Sequence, residues 1–151
     1  MSWYRFTKKY VWNEEKTPYF VGVDKLTKGQ ARNELFVYTL FLATVFAVMT
    51  IVSVANTKLG GGYISVLVAL YAFSVCCAAI FFGVTKNLRA ARYCVAAPVA
   101  AFLSINGLRP DLATIDRYVL LAFSLIWLRY AVRVVAIAKA FHRMPGEIPK
   151  G

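Results

Sequence analysis

Acidic residues, histidine and paired cysteines are all scarce in this chain, and each scarcity narrows what it can do. Seven Asp and Glu stand against eighteen Lys and Arg, and none of the seven falls within the first three long apolar runs. No carboxylate therefore lies deep in those runs, where a proton-coupled carrier would need one. His142 is the only histidine, which excludes haem ligation by a histidine pair. Cys76, Cys77 and Cys94 form no Cys-x-x-Cys pattern for thiol or quinone chemistry. Adjacent cysteines such as Cys76 and Cys77 rarely bridge because their side chains diverge, so the three read as small packing residues. Metalloprotease and nucleophile-elbow patterns are missing, and the Gly60–Gly62 triplet lacks the lysine, strand and helix of a phosphate loop. The reading is of a protein with no catalytic site, no metal and no cofactor.

Apolar residues dominate instead, at 60% of 151, and they come in long blocks rather than at the spacing of a water-facing amphipathic helix. Four blocks stand out: 35–55, 63–84, 93–108 and 118 to about 138. At about 1.5 Å per residue, the first, second and fourth can cross a hydrocarbon core of about 30 Å. The third reaches only about 24 Å, so it must recruit Ala90 and Ala91, let Arg92 snorkel, or thin the bilayer locally. Pro98 is placed to bend it. The expected fold is an all-α integral membrane protein: a bundle of four transmembrane helices over about 30–55, 63–84, 90–108 and 115–140. An interfacial leader (1–34) precedes the transmembrane domain (35–141), and a short tail (142–151) follows. Thr27 and Gln30 have capping-box spacing, so the first helix is expected to begin near Lys28 and run unbroken to Ala55.

The net charge of +11 would suggest nucleic acid in a soluble domain, but here the basic residues flank apolar blocks, where they anchor helices and set topology. Nucleic acid is therefore not an expected partner; anionic lipid is. With the amino end inside, fifteen Lys and Arg fall on the cytoplasmic side, against only Lys58, Arg109 and Arg117 outside. Both termini are thus expected in the cytoplasm, with a bacterial inner membrane as the default location. The first apolar run follows a charged leader and precedes no small-residue cleavage pattern, so the amino end is expected to be retained.

That leader is dense in aromatic residues, Trp3, Phe6, Tyr10, Trp12, Tyr19 and Phe20 among them. Trp3, Phe6 and Tyr10 share one side of a short helix, with basic residues on another, which suits contact with the headgroup layer or with a partner protein. In the second run, Ser65, Ala69, Ala72, Cys76, Ala79 and Gly83 form a small-residue stripe, and Ala90, Cys94, Ala97, Ala101 and Ser104 repeat the device in the third. The short loop between these runs suggests that they pack together as an antiparallel hairpin.

Arg129 and Arg133 are four residues apart and share a helix face. If Tyr118 marks the outer interface, Arg129 lies about 16 Å further in and Arg133 about 22 Å. A guanidinium at the bilayer centre costs roughly 2.5–3.5 kcal/mol on insertion scales, so both should find lipid or protein partners. Glu34, at the mouth of the first helix, is within reach of Arg133 only. These features point to a non-catalytic accessory subunit of a larger energy-transducing or transport assembly. A reading of another class is a small homo-oligomeric channel or carrier whose anion-attracting vestibule is lined by Arg129 and Arg133.

Overall fold

The computed structural model describes residue 19 and residues 21–108 and 111–146. The leader aromatics Trp3, Phe6, Tyr10, Trp12 and Phe20 lie outside the described residues. Among the described residues every regular element is helical: α1 (Lys28–Lys58), α2 (Gly62–Thr85), α3 (Leu88–Val95), α4 (Ala97–Leu108) and α5 (Thr114–Ala140), with single 3-10 turns at Val23–Lys25 and Phe141–Arg143. Among the described residues four spans are long and apolar enough to cross a membrane, the third being α3 and α4 together over Leu88–Gly107.

Local chemistry sets the boundaries. Thr27 accepts a hydrogen bond from the Gln30 amide at 3.3 Å, and the Gln30 side chain accepts from the Thr27 amide at 3.0 Å, so a capping box starts α1 at Lys28. α2 ends at Lys86, whose φ of 55° places a side-chain-bearing residue in the left-handed region. Asn87 caps α3 through its side chain, which accepts from the Arg89 amide at 2.8 Å. The third span takes in Ala90 and Ala91, both buried, and so reaches 20 residues, about 30 Å. It breaks at Ala96 because Pro98 has no amide hydrogen to bond residue 94 and its ring crowds that carbonyl.

The buried stripe of α1 is Ala31, Leu35, Tyr38, Leu42 and Phe46, at intervals of three and four. It meets Ala72, Val75, Ala79 and Phe82 of α2 and Trp127, Ala131, Val134 and Ile137 of α5 in one core. The remaining faces are apolar too: Ile51, Leu70, Ile80, Leu103 and Ile126 are all exposed. Between 22% and 28% of each span's most apolar window is buried. A surface of that kind calls for lipid as solvent and marks a multi-pass membrane protein. Hydroxyls within the spans mostly bond back to their own helix, as Thr50 does to the Phe46 carbonyl at 2.7 Å and Ser74 to that of Tyr71 at 2.7 Å.

The small-residue stripe of α2 does not face mainly the third span. The most extensive helix contact is between α1 and α2, and the closest approaches come from that stripe. A Cβ on Gly83 would lie 3.0 Å from the Thr39 hydroxyl of α1, Cys76 Sγ donates to the Ala43 carbonyl at 3.5 Å, and Ser65 Oγ accepts from Asn56 at 2.9 Å. The hairpin expected between the second and third spans is therefore secondary to one between the first and second. Short connections, three residues between α1 and α2 and two between α2 and α3, allow either hairpin in sequence. The glycine triplet serves this contact: a Cβ on Gly61 would come within 2.5 Å of Asn56 and Ser65 side-chain atoms. Ala90, Cys94, Ala97 and Ala101 are buried against the core.

Candidate functional site

The densest polar cluster sits where both ends of the described chain meet. Glu34, in the second turn of α1, has no exposed surface. Arg133 of α5 donates from Nε to Glu34 Oε1 at 2.7 Å and from Nη2 to Oε2 at 3.2 Å, a two-pronged match of guanidinium to carboxylate. Tyr130, one turn earlier on α5, donates its hydroxyl to Glu34 Oε1 at 3.2 Å. The third arm of Arg133, Nη1, donates to the Val21 carbonyl at 2.8 Å, which ties the segment before α1 to the bundle. Tyr19 packs its ring 6.3 Å from that of Tyr130, and Tyr38 stands 5.7 Å away on the other side.

The chain beyond α5 closes the same end. The Lys28 amide donates to the Pro145 carbonyl at 3.0 Å, Lys28 Nζ lies 5.7 Å from the centre of the Phe141 ring, and Met144 is buried. On the neighbouring corner, the Lys86 ammonium donates to the Gly83 carbonyl. Burial, and secondarily the nearby Arg32 cation, lower the Lys86 pKa below that of an ordinary lysine. The cluster is a charged latch that joins α1, α5 and the segments at Val21 and Pro145 that flank them. Among the described residues no three His, Cys, Asp or Glu side chains come together in a way that could hold a metal ion.

Arg129 has a different setting. It is exposed on α5, and no hydrogen bond or ion pair joins it to another described residue. Its level in the bundle can be given relative to the latch. Arg133 is level with Glu34, the last charged residue before the apolar run of α1, so Arg129 lies one turn, about 6 Å, inside that level. Four residues before Tyr118, α5 begins at Thr114. From there to Arg133 is about 29 Å, one hydrocarbon thickness.

Sequence spacing brings Arg133 to Glu34 but says nothing of Tyr130 or the Val21 carbonyl, since a tyrosine and a backbone oxygen carry no charge signal. Nor does it reveal the buried hydroxyls of Ser53 and Tyr71, which have no hydrogen-bond partner among the described residues. In comparisons with known proteins, no protein-family model, no curated protein and no solved structure matches this chain.

Proposed function

We propose that the chain is a non-catalytic subunit of a larger membrane-protein assembly, docked through the outward face of α5, with both termini on the cytoplasmic side of a bacterial inner membrane. The supporting observation is the contrast between two arginines one turn apart. Arg133 has its guanidinium taken up inside the bundle. Arg129 is turned outward within a stripe of Ile115, Tyr118, Ala122, Ile126, Val132 and Ala136. A cation at that depth has three favourable destinations: a carboxylate, a carbonyl on a neighbouring helix, or a lipid phosphate reached by its stem. The two protein destinations make α5 a subunit interface, and α5 is also the span with the smallest buried share.

The carrier reading has less to stand on, since it needs both arginines for its vestibule and Arg133 already serves Glu34. The test is photo-crosslinking from residue 126 or 132 in native membranes, combined with native gel migration after mild solubilisation. A cross-link to a different, larger protein, lost in Arg129→Gln while the bundle stays folded, is the expected result. A cross-link to a second copy of this chain would favour the carrier, and a lone monomer cross-linked only to lipid would end the subunit reading.

A further inference from the structure

The outward strip of α5 is ordered around Arg129. From Trp127 to Ala140 four residues are exposed, Arg129, Val132, Ala136 and Lys139, at intervals of three, four and three. Exposed Ala122 and Leu125 extend the same period towards the other end of the helix. Ala122 and Ala136 each stand one heptad from Arg129, so two small residues bracket the long one on a single line. Alanine at those positions lets a second helix come close beside the guanidinium, as small residues do at helix contacts in lipid.

The direction of α5 argues against the nearest lipid phosphates as the partner. The helix runs from Thr114 towards the latch, and in any α-helix the Cα–Cβ bonds tilt towards the amino end. Arg129 therefore leaves its helix leaning away from the headgroups at the latch end, from a level already one turn inside Glu34. Lys139, ten residues on and about 15 Å nearer those headgroups, is the residue of this strip placed to meet them.

A second copy of the chain has no acid to offer at this level. Pairing two α5 strips about a two-fold axis sets Arg129 against Arg129, a like-charge contact in a medium of low dielectric. Glu34 has no exposed surface and is held by Arg133. Asp116 lies thirteen residues, about 20 Å, back along α5, and Asp24 and Asp111 lie outside the spans. A backbone carbonyl from a neighbour would leave the charge uncancelled, whereas a carboxylate takes a two-pronged grip and cancels it.

We infer that the strip is covered by a transmembrane helix of another protein, and that this helix carries one Asp or Glu about one turn inside the latch end, paired with Arg129. The inference rests on the docking role given to α5 above and adds the chemistry of the partner.

Carbodiimide coupling reads the contact directly. In native membranes holding the Arg129→Lys variant, lipid-soluble dicyclohexylcarbodiimide activates a carboxyl group and the introduced amine attacks it. Dicyclohexylurea leaves as an amide bond joins the two side chains. Mass spectrometry of the cross-linked peptide should place that bond between position 129 and an Asp or Glu inside an apolar segment of a different protein. Arg129→Gln should lower the amount of that protein co-isolated in mild detergent by roughly thirtyfold. Unfolding of the bundle should stay unchanged, because Arg129 joins no other described residue. Arg129→Glu, combined with a lysine in place of the partner's acid, should restore recovery. A bond to a second copy of this chain would overturn the inference. Absence of the bond while a photo-cross-linker at position 132 captures another protein would overturn the carboxylate and leave the docking role standing; no capture from position 132 would remove both. A phospholipid retained by the wild type in native mass spectrometry and lost in Arg129→Gln would assign the cation to a lipid phosphate instead.

Discussion

Glu34 is a carboxylate with no exposed surface, and three donor atoms converge on it: two from Arg133 and one from Tyr130. Removing one partner of such a pair costs more than removing both, because the survivor is left charged and desolvated. Arg133→Leu should therefore destabilise the bundle by about 3 kcal/mol, measured by unfolding in mixed micelles. Arg133→Leu combined with Glu34→Gln should recover part of that loss, and strict additivity of the two single changes would refute the latch. The pair was legible in the sequence because carboxylates are so few: with none in the first three runs, Glu34 was the one acid near the level of Arg133. Lys86 offers a second residue-scale prediction. Its pKa is lowered in the folded chain by burial and by Arg32, so the unfolded chain binds the proton more tightly. Its charge therefore weakens the fold at neutral pH. That penalty is relieved as pH rises from the lowered value towards that of a free lysine. Stability should climb across that alkaline window, and Lys86→Met should abolish the climb.

At the scale of the helix, the signals that could be read in advance are those set by neighbours in sequence. Thr27 and Gln30 cap α1 because the box needs only residues three apart, and Pro98 interrupts the third span because its missing amide acts within one turn. What could not be read is which helix receives a stripe of small residues. Ser65, Cys76 and Gly83 turn towards α1, and nothing in their spacing names α1 over the third span. The position of Arg129 relative to the paired ends of α1 and α5 is likewise a fact of packing that sequence spacing does not carry. The contact at Gly83 is the most sensitive part of the α1–α2 seam. A Cβ there meets Thr39 Oγ1 at 3.0 Å and Thr39 Cβ at 3.3 Å. Gly83→Ala should be accommodated by a small shift, whereas Gly83→Val should force α1 and α2 apart at a cost of about 1–3 kcal/mol. A cross-link between cysteines placed on the two helices would report the separation, and Gly83→Val with wild-type stability would show that the seam is looser than the contact implies.

The bundle is organised by having the two ends of the described chain at one end. The Val21 carbonyl is held by Arg133 of α5, and the Lys28 amide by the Pro145 carbonyl, so the start of the first span and the end of the last are joined there. Four candidate spans are consistent with this, and the basic residues predict the direction. Near the joined end stand Lys25, Lys28, Arg32, Lys86, Arg89, Arg92, Lys139 and Arg143, whereas among the described residues the opposite end carries Lys58 and Arg117. The charge rule acts during insertion, on short loops within about 15–20 residues of a span, and all of these qualify. Cys76, Cys77 and Cys94 can be replaced by Ala, after which single cysteines at the exposed positions 58 and 139 report sidedness. In intact cells a membrane-impermeant maleimide should label Lys58→Cys and spare Lys139→Cys, and inverted vesicles should reverse the pattern. Labelling of both from one side would mean that one of the four helices lies along the surface. The third is the one to suspect, because its 20 residues match a hydrocarbon core of about 30 Å with none to spare, and its break at Ala96 shortens its reach. Labelling of Lys139→Cys alone in intact cells would invert the bundle and set the positive end against the outer leaflet, against the bias of every loop in the chain.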